Sequence, residues 1–214
     1  MASTDELLIF ARGLQAGQVK TRLIPAYGAE GALAIYRHLL RRTCDAAATF
    51  PGRVTLWADR HDPALARLAA SRGWGMSVQC GEDLGERMSH ALFQSLRASQ
   101  KVLLIGSDCP LLDSDYFVQA LAALDTNNVV FGASEDGGYV LLGSSSAALW
   151  QCNPFAGVHW GSAAALQQSQ QALMDAAQHV LPALWDVDLP EDVCRACGLG
   201  LLPTEFLPVP PARV

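Results

Sequence analysis

The stretch Leu7–Leu23, LLIFARGLQAGQVKTRL, decides the fold prediction, because an apolar run is followed there by a glycine-spaced, cationic loop. Leu7–Ala11 has the length and the apolarity of a strand that is buried on both faces of a sheet. Gly13 and Gly17 allow the backbone to turn tightly and to approach a ligand closely. The stretch therefore predicts a buried strand followed by a ligand-binding loop.

Positive charge is concentrated in this loop. The chain carries 15 Lys and Arg residues against 21 Asp and Glu residues, and its formal net charge is −6. Three cations nevertheless follow the first strand, at the end of the strand where ligands bind in open α/β sheets. We predict that this loop binds the phosphates of a nucleotide; the alternative is an ordinary solvated surface loop. The predicted nucleotide-binding residues here are Ala11, Arg12, Gly13, Lys20 and Arg22.

Two common phosphate-binding patterns do not match the loop. A Walker A loop requires a glycine, four further residues and then Gly-Lys-Ser/Thr, and the spacing of Gly13, Gly17 and Lys20 differs from that pattern. A Rossmann fingerprint requires a third glycine that opens a helix and a suitably placed acidic residue about 20 positions later. The sequence has neither feature, so P-loop ATPases and Rossmann enzymes are disfavoured.

The composition indicates one acidic, well-buried domain. Of the 214 residues, 50% are hydrophobic and 17% are charged, compared with about 25% charged in typical soluble domains. This length supports one buried core and is short for two domains. The sequence pI of about 5.3 argues against a nucleic-acid partner or a membrane surface. A cationic loop in such a protein instead indicates a small phosphorylated ligand.

The sequence also predicts a cytoplasmic protein. It contains no apolar run near the length of about 20 residues that spans a bilayer. Met1–Glu6 is polar and acidic, unlike a signal peptide.

Strand and helix patterns alternate four times in the first half of the chain, which is typical of a parallel sheet with helices on both faces. The predicted strands are Leu7–Ala11, Arg53–Asp59, Trp74–Cys80 and Lys101–Ser107. The predicted helices are Gly28–Phe50, Asp62–Ser71 with Asp62 as the N-cap, Glu86–Ser99 and Asp113–Leu124.

The second half predicts a mixed sheet. Strands Asn128–Ala133 and Tyr139–Ser144 are joined by a turn that is too short for a crossover, so they should pair antiparallel. The fold class is therefore α/β, a three-layer sandwich around a mostly parallel, mixed sheet. The remaining predicted elements are helix Gly161–Ala177 with Ser162 as its cap, strand His179–Trp185 and helix Leu189–Cys197.

Residues 1–197 are predicted to form a single domain, and residues 198–214 a Pro-rich extended tail. The tail is expected to lie on the body of the protein or on a neighbouring subunit, which leaves a homodimer open.

Carboxylates follow two of the predicted strands. Asp108 emerges directly from a buried strand, where an unpaired charge costs several kcal/mol, and a metal ion would resolve this cost. The alternative is a turn aspartate ahead of Pro110. Asp188 could form a capping box with Glu191, and one oxygen could still reach a cation. Two such carboxylates together with ligand phosphates suit Mg²⁺, with Mn²⁺ as a second option.

Two glycine-bearing segments are candidate contacts for a substrate. The turn before the sixth strand offers a backbone surface for an acceptor, although it could be only a hairpin turn. Its predicted acceptor-binding residues are Glu135, Asp136, Gly137, Gly138 and Tyr139. Leu84 and Gly85 could let a nucleobase edge meet backbone groups, or could simply start a helix. His159 and Trp160 are expected to be packing residues.

The order of six motifs, FARGLQAGQVKTRL, GEDLGERM, LLIGSDCPLL, EDGGYVLLG, VHWGS and DVDLPEDV, resembles a bacterial glycosyltransferase-like family to about Arg195. That family belongs to the nucleotide-diphospho-sugar transferase superfamily, has the glycosyltransferase-A fold, and is related to molybdenum-cofactor and phospholactate nucleotidylyltransferases. The resemblance implies that Arg12 and Lys20 bind a triphosphate and that Leu84-Gly85 faces the base. It also implies that Asp108 and Asp188 bind the metal and that Asp136–Tyr139 lies on the acceptor side.

One motif separates this chain from glycosyltransferases of the same fold. These enzymes usually carry Asp-x-Asp at the strand end, where this chain has Ser107-Asp108-Cys109. The sequence therefore predicts a Mg²⁺-dependent transferase that moves a nucleotidyl group from a nucleoside triphosphate to a small acceptor, with Lys20 and Asp108 as catalytic residues. Glycosyl transfer from a nucleotide sugar and nucleotide binding without catalysis are the alternatives.

Overall fold

The computed structural model describes residues 5–207 of the chain. The predictions made for Met1–Thr4 and for the tail beyond Leu207 lie outside these residues. Within the described part the strands are β1 Glu6–Ala11, β2 Arg53–Ala58, β3 Gly75–Val78, β4 Val102–Ile105, β5 Val129–Ser134, β6 Tyr139–Ser144 and β7 Gln178–Leu184. The α-helices are α1 Ile24–Ala47, α2 Pro63–Ser71, α3 Leu84–Leu96, α4 Ser114–Ala123, α5 Ala165–Ala172 and α6 Pro190–Gly198.

The strands form one seven-stranded sheet in the order β3-β2-β1-β4-β6-β5-β7. Strand β6 runs antiparallel to both of its neighbours, β4 and β5, and every other neighbouring pair is parallel. The mostly parallel, mixed sheet is therefore confirmed, including the antiparallel β5–β6 pair. Six strands consequently end at the same edge of the sheet, which brings the loops after them together.

Helices cover both faces of the sheet, because alternate residues of β1 enter different cores. Leu7 and Ile9 pack in a core with residues of α1, α2 and α4. Leu8 and Phe10 pack on the opposite face with residues of α3 and with Leu173, just after α5. The two separate cores confirm the predicted three-layer sandwich. A near-continuous apolar strand such as β1 is what burial on both faces requires.

Two helix starts differ from the sequence predictions. Helix α1 begins at Ile24, with Pro25 in its first turn, and contains a kink at Gly28, whose φ is +68°. The glycine that was predicted to open the helix therefore lies inside it. Helix α5 is shorter than predicted and its N-cap is Ala164, so the prediction of Ser162 as cap is wrong. The Ser162 hydroxyl instead donates to the His159 carbonyl within the preceding turn.

The predicted capping box at Asp188 and Glu191 is also wrong. Helix α6 has Leu189 as its N-cap and Pro190 in its first turn, so the third helical position falls on Asp192. The Asp192 carboxylate accepts hydrogen bonds from the backbone N–H groups of Asp188, at 3.0 Å, and of Leu189, at 2.7 Å. The Asp188 side chain is therefore free to act elsewhere.

The described part of the C-terminal segment packs on the domain. Leu202 is buried in a core with α1 and α6, and the ring of Phe206 lies edge-on to His38 with 5.1 Å between ring centroids. The division of the chain at residue 197 stays a prediction. Within residues 5–207, no helix combines the length and the apolarity that crossing a membrane would require.

Asp62 is confirmed as the N-cap of α2, and it also holds the loop after β1. Its Oδ1 atom accepts hydrogen bonds from the N–H groups of Ala64 and Leu65, while Oδ2 accepts one from Leu14 at 2.7 Å. Burial alone would raise the pKa of Asp62, but these backbone hydrogen bonds outweigh burial and lower the pKa below 3.8. The carboxylate therefore links α2 to the cationic loop.

We predict that Asp62→Ala lowers the free energy of unfolding by about 1–2 kcal/mol at pH 7, because it removes a helix cap and a loop anchor. Since the folded-state pKa is depressed, this stabilisation is present above the unfolded pKa and is lost as the pH falls through the folded value. Urea unfolding at pH 7 and at decreasing pH measures both effects. Asp175→Ala, at an exposed acid, is the matched control, and equal losses in the two variants would contradict the prediction.

Candidate active site

A cavity of about 700 Å³ lies at the edge of the sheet where the six parallel strands end. Each contributing loop places polar side chains in it. The polar residues that line the cavity at the strand ends include Arg12 after β1, Asp59 after β2, Gln79 after β3, Ser107 and Asp108 after β4, Ser134 at the end of β5 and Asp136 just after it, and Asp186 and Asp188 after β7. This is the position at which open α/β sheets bind ligands.

Lys20 joins the two predicted metal carboxylates. Its Nζ atom lies 2.8 Å from Asp108 Oδ2 and 3.4 Å from Asp188 Oδ1, and its side chain is only 6% exposed. The second oxygen of Asp188 accepts a hydrogen bond from Arg22. Cations near the amino terminus therefore meet acids that arrive 88 and 168 residues later in the chain.

The charge of Lys20 is stabilised by this arrangement. Burial on its own would lower the pKa of Lys20, but the charge and hydrogen bond of Asp108, with further help from Asp188 and Asp186, outweigh burial and raise that pKa. Lys20 is therefore an ammonium ion throughout the physiological range.

The backbone of Lys20 is strained. Lys20 has φ 45° and ψ 48°, and it is the only non-glycine residue of the described part with a positive φ. A left-handed conformation costs a non-glycine residue about 1–2 kcal/mol, so the surrounding contacts must hold Lys20 in place. Such strain is often found at binding sites and agrees with a functional role for Lys20.

The backbone amides at the start of the loop are already occupied. The N–H groups of Arg12, Gly13 and Leu14 donate to Tyr36, Asp59 and Asp62 respectively, at 2.7–2.8 Å. These amides cannot also serve a phosphate group, although the sequence suggested that glycine here would bring the backbone to a ligand. Anion binding by this part of the loop therefore depends on the cationic side chains.

Tyr36 fixes the first and fourth strand ends relative to each other. Its hydroxyl accepts the hydrogen bond from Arg12 N at 2.8 Å and shares a second hydrogen bond with Ser107 Oγ at 2.9 Å. Burial raises the pKa of Tyr36 to about 12, so the hydroxyl stays neutral. The tyrosine therefore positions the loop without adding charge to the cavity.

Asp186 adds a third carboxylate beside Asp108 and Asp188. Its Oδ1 atom accepts a hydrogen bond from Ser134 Oγ at 3.0 Å. Burial and then the charge of Asp108 raise the pKa of Asp186 to about 6, while Lys20 and the hydrogen bond from Ser134 act in the opposite direction. Ionisation of Asp186 near neutral pH therefore lowers the free energy of unfolding.

Ten of the predicted site residues line the cavity: Ala11, Arg12, Lys20, Arg22, Leu84, Asp108, Asp136, Gly138, Tyr139 and Asp188. The functional roles given to them stay predictions, but the structure brings them to one place. The cavity lining does not include Gly13, Gly85, Glu135 or Gly137.

Three of these four residues are closely packed or paired outside the cavity lining. The Glu135 carboxylate forms an ion pair with Arg195, at 2.7 and 3.1 Å. Gly137 has a φ of +88°, and a Cβ atom there would lie 2.2 Å from the Ala163 carbonyl oxygen. Gly85 lies beneath Phe155 and Trp160, where a Cβ atom would come within 2.8–3.0 Å of both side chains.

Several residues that line the cavity were not among the predicted site residues. Ser107 and Asp186 adjoin predicted residues at strand ends, so their position was a usable signal. Tyr36 gave no such signal, because its helical spacing indicated only a buried face. Trp160 packs against Phe155 as predicted, with 5.6 Å between ring centroids, and it also lines the cavity.

The acids fit a divalent cation that is shared with a ligand. Asp108 and Asp188 both reach one cation position, which the ammonium group of Lys20 takes here. Two carboxylates completed by phosphate and water oxygens suit Mg²⁺, which uses few protein ligands. Among residues 5–207 no group of three or more His, Cys, Asp or Glu side chains could hold a metal by itself. A metal ion at Asp108 and Asp188 would therefore need further ligands.

Two comparisons by sequence gave different results. The family described as "Uncharacterized protein conserved in bacteria (DUF2064)" matches residues 42–162, more than half of the 214 residues. No curated protein matches the chain significantly.

Solved structures share the fold over nearly the whole chain. A protein from Desulfovibrio desulfuricans G20, provisionally named a nucleotide-diphospho-sugar transferase, is 26% identical with a TM-score of 0.80, and the match covers 95% of this chain and 90% of that one. The 4-diphosphocytidyl-2C-methyl-D-erythritol synthase of Anaerococcus prevotii DSM 20548 is 14% identical with a TM-score of 0.63, covering 94% and 100%. A cytidylyltransferase from Leptospira borgpetersenii is 16% identical with a TM-score of 0.59, covering 95% and 90%.

These similarities confirm the predicted resemblance to the nucleotide-diphospho-sugar transferase superfamily and its fold. At 14% and 16% identity, the likeness to the two cytidylyl enzymes is one of fold alone. Two of the three structural neighbours carry the names of transferases and the third is named a synthase, which agrees with the prediction of an enzyme.

We predict that Asp186→Asn raises the free energy of unfolding by about 1–2 kcal/mol at pH 8 in EDTA, because it removes a carboxylate that is costly to ionise. The raised pKa means that the folded state holds its proton more tightly than the unfolded state does. Wild-type stability should therefore fall as the pH rises from 3.8 to about 6, and the difference between the proteins should vanish at low pH.

Urea unfolding from pH 4 to pH 8 measures this difference, with Asp175→Asn as the control at an exposed acid. A difference between wild type and Asp186→Asn that does not change with pH would contradict the assignment.

Proposed function

The chain belongs to the DUF2064 family, and we propose that it is a Mg²⁺-dependent transferase that uses an activated nucleotide. The favoured reaction is transfer of a nucleotidyl group from a nucleoside triphosphate to a small acceptor. The observation that carries the proposal is the meeting of Lys20, Asp108 and Asp188 in one cavity at the strand ends. A buried ammonium ion between acids at such a place suits a polyphosphate with its metal ion.

The phosphate-binding side of the cavity is cationic. Arg12, Lys20, Arg22 and Arg87 all line it, and three of them come from the loop after β1. Their charges would neutralise phosphate oxygens and stabilise the additional charge that develops during transfer. Because Tyr36, Asp59 and Asp62 hold the loop backbone, these side chains start from a fixed scaffold.

Asp108 and Asp188 would hold the Mg²⁺ ion. When bound, such an ion supplies positive charge to the oxygens of the leaving pyrophosphate. The two carboxylates already converge on a cation, so little rearrangement of the acids is needed. Lys20 could then donate its hydrogen bonds to phosphate oxygens instead of to both carboxylates.

The proposed reaction is a direct displacement. An acceptor oxygen forms a bond to the α-phosphorus, and the bond from that phosphorus to the bridging oxygen of the β-phosphate breaks. Pyrophosphate leaves with the bonding electron pair, and the proton of an acceptor hydroxyl passes to water. Positioning and electrostatics would supply most of the rate, as in other phosphoryl transfers, and no covalent enzyme intermediate is required.

Glycosyl transfer is the second candidate. It is favoured by the name of the Desulfovibrio protein, the one structural neighbour above 25% identity among those described. In that reaction a nucleoside diphosphate, rather than pyrophosphate, would leave. The single carboxylate of Ser107-Asp108-Cys109 supports the nucleotidyl reaction, since glycosyltransferases of this fold usually carry a paired motif there.

We predict that one nucleoside triphosphate raises the melting temperature more with Mg²⁺ than without it.

Lys20→Ala should weaken nucleotide binding about tenfold or more, because it removes charge-assisted hydrogen bonds. Asp108→Asn should abolish the Mg²⁺-dependent part and lower turnover by about 10²–10³-fold. Thermal-shift titrations with CTP, UTP, ATP, GTP and nucleotide sugars measure binding, and an assay for pyrophosphate and nucleoside diphosphate measures turnover.

Asp175→Asn serves as the control for the loss of one acid far from the substrates. Release of nucleoside diphosphate from a nucleotide sugar would favour glycosyl transfer. Stabilisation without turnover across an acceptor panel would indicate a binding protein. Full metal-dependent activity in Asp108→Asn would refute the proposed site.

A further inference from the structure

The cavity has two halves that differ in charge. The half formed by the loop after β1 and by α3 contains the four lining cations, Arg12, Lys20, Arg22 and Arg87, and Lys20 and Arg22 lie there against Asp108 and Asp188. The other half, which we call the acceptor half, is lined by Ser134, Asp136, Gly138, Tyr139, Trp160, Gly161, Ser162, Ala165 and Asp186. None of these described lining residues is Lys, Arg or His. Since a polyphosphate would occupy the cationic half, the acceptor half remains for the second substrate.

The acids of the acceptor half are held by hydrogen bonds, and the charge of Lys20 also stabilises the ionised form of Asp186. Asp136 accepts a hydrogen bond from Gly138 N at 2.9 Å, and Asp186 accepts one from Ser134 Oγ at 3.0 Å. In residues 5–207 neither carboxylate takes part in an ion pair. The nearby cation Arg195 is held outside the cavity by Glu135, at 2.7 Å, and by the ring of Trp185, at 4.2 Å.

The remaining groups of this half are aromatic rings and hydroxyls. Tyr139 directs its hydroxyl towards Ser169 Oγ, 3.4 Å away, so it presents its ring to the cavity. Trp160 lies next to it, with 6.3 Å between ring centroids. The Ser162 hydroxyl donates to the His159 carbonyl and accepts from Ala164 N at 3.4 Å, which leaves one acceptor position on its oxygen.

These groups select a ligand that donates hydrogen bonds. Ionised carboxylates only accept hydrogen bonds, so they match hydroxyl or ammonium groups and have nothing to offer a phosphate. Aromatic rings pack against the C–H faces of a carbon skeleton. A phosphate or carboxylate on the acceptor would instead lie beside the carboxylate of Asp136, which forms no ion pair within residues 5–207, and such like-charge contacts are strongly unfavourable.

Resting on the proposed function, we infer that the acceptor carries hydroxyl groups and no negative charge, as a polyol, a sugar or a hydroxylated amine does. One of its hydroxyl oxygens would attack the donor. Lys20 and a bound Mg²⁺ ion would be paired with the oxygens of the polyphosphate. Their charges would therefore not favour a negatively charged acceptor.

The test compares acceptors that differ by one phosphate group. Each sample contains the protein, Mg²⁺, an equimolar mixture of CTP, UTP, ATP and GTP, and one member of a pair. The pairs are glycerol and glycerol 3-phosphate, glucose and glucose 6-phosphate, ribitol and ribitol 5-phosphate, and choline and phosphocholine. Pyrophosphate release above the rate without acceptor is measured, together with the melting temperature in the same mixture.

We expect the unphosphorylated members to react about tenfold or more faster than their partners. Asp136→Asn should reduce this preference by about threefold or more, since it removes one charge but keeps the oxygen that accepts from Gly138. Asp175→Asn removes the same charge from an exposed residue that does not line the cavity and should leave the preference unchanged.

Equal or faster reaction of the phosphorylated members would overturn this inference and leave the proposed function standing. Nucleotide-dependent stabilisation without turnover of either member of any pair would indicate a binding protein and would refute the proposed function on which this inference rests. Absence of stabilisation by every nucleotide would also show that the proposed function itself has failed.

Discussion

The ammonium group of Lys20 lies between the carboxylates of Asp108 and Asp188, and the geometry of the cavity depends on this contact. It links the loop after β1 to the ends of β4 and β7, on either side of β6 and β5 in the sheet. A buried charge of this kind is stable only when it is paired. The same pairing keeps two acids aimed at one cation position, which is where a metal-bound polyphosphate would need them.

The surroundings of this contact are arranged to keep it rigid. Tyr36, Asp59 and Asp62 accept hydrogen bonds from three successive loop amides, so the loop backbone is fixed before any ligand arrives. Lys20 itself adopts a left-handed conformation that is costly for a residue with a side chain. The three amides at the start of the loop therefore hold the loop backbone, and the cationic side chains are available to contact the ligand. Such preorganisation is a main source of rate in phosphoryl transfer.

Local sequence patterns predicted the parts of the fold that local forces determine. The apolar run at Leu7–Ala11 and the alternation of strands and helices indicated the sheet, and Asp62 was identifiable as a cap because Pro63 follows it. The predicted cap at Asp188 failed because Pro190 shifts the start of α6, so that Asp192 takes the capping position. Strand ends also located most of the site, since parallel strands must end together.

Long-range contacts could not be predicted from local sequence patterns. Nothing around Tyr36 indicated that its hydroxyl would join Arg12 to Ser107, which lies 71 residues away. Glu135 and Asp136 are adjacent acids, yet only the fold decides that Glu135 turns to Arg195 while Asp136 lines the cavity. The charge difference between the two halves of the cavity likewise results from tertiary placement. It appears only when residues of β1, β5 and β7 are brought together.

In the complex that we propose, Lys20, Asp108 and Asp188 surround one metal-bound polyphosphate. Crystals grown with Mn²⁺ and a nucleoside triphosphate whose α–β bridge resists cleavage test it directly, because anomalous scattering locates the ion. We expect one ion bound by Asp108, Asp188 and phosphate oxygens, with Lys20 and Arg12 contacting the phosphate groups. An ion and nucleotide bound away from this cavity, with Lys20 still between the two carboxylates, would contradict it.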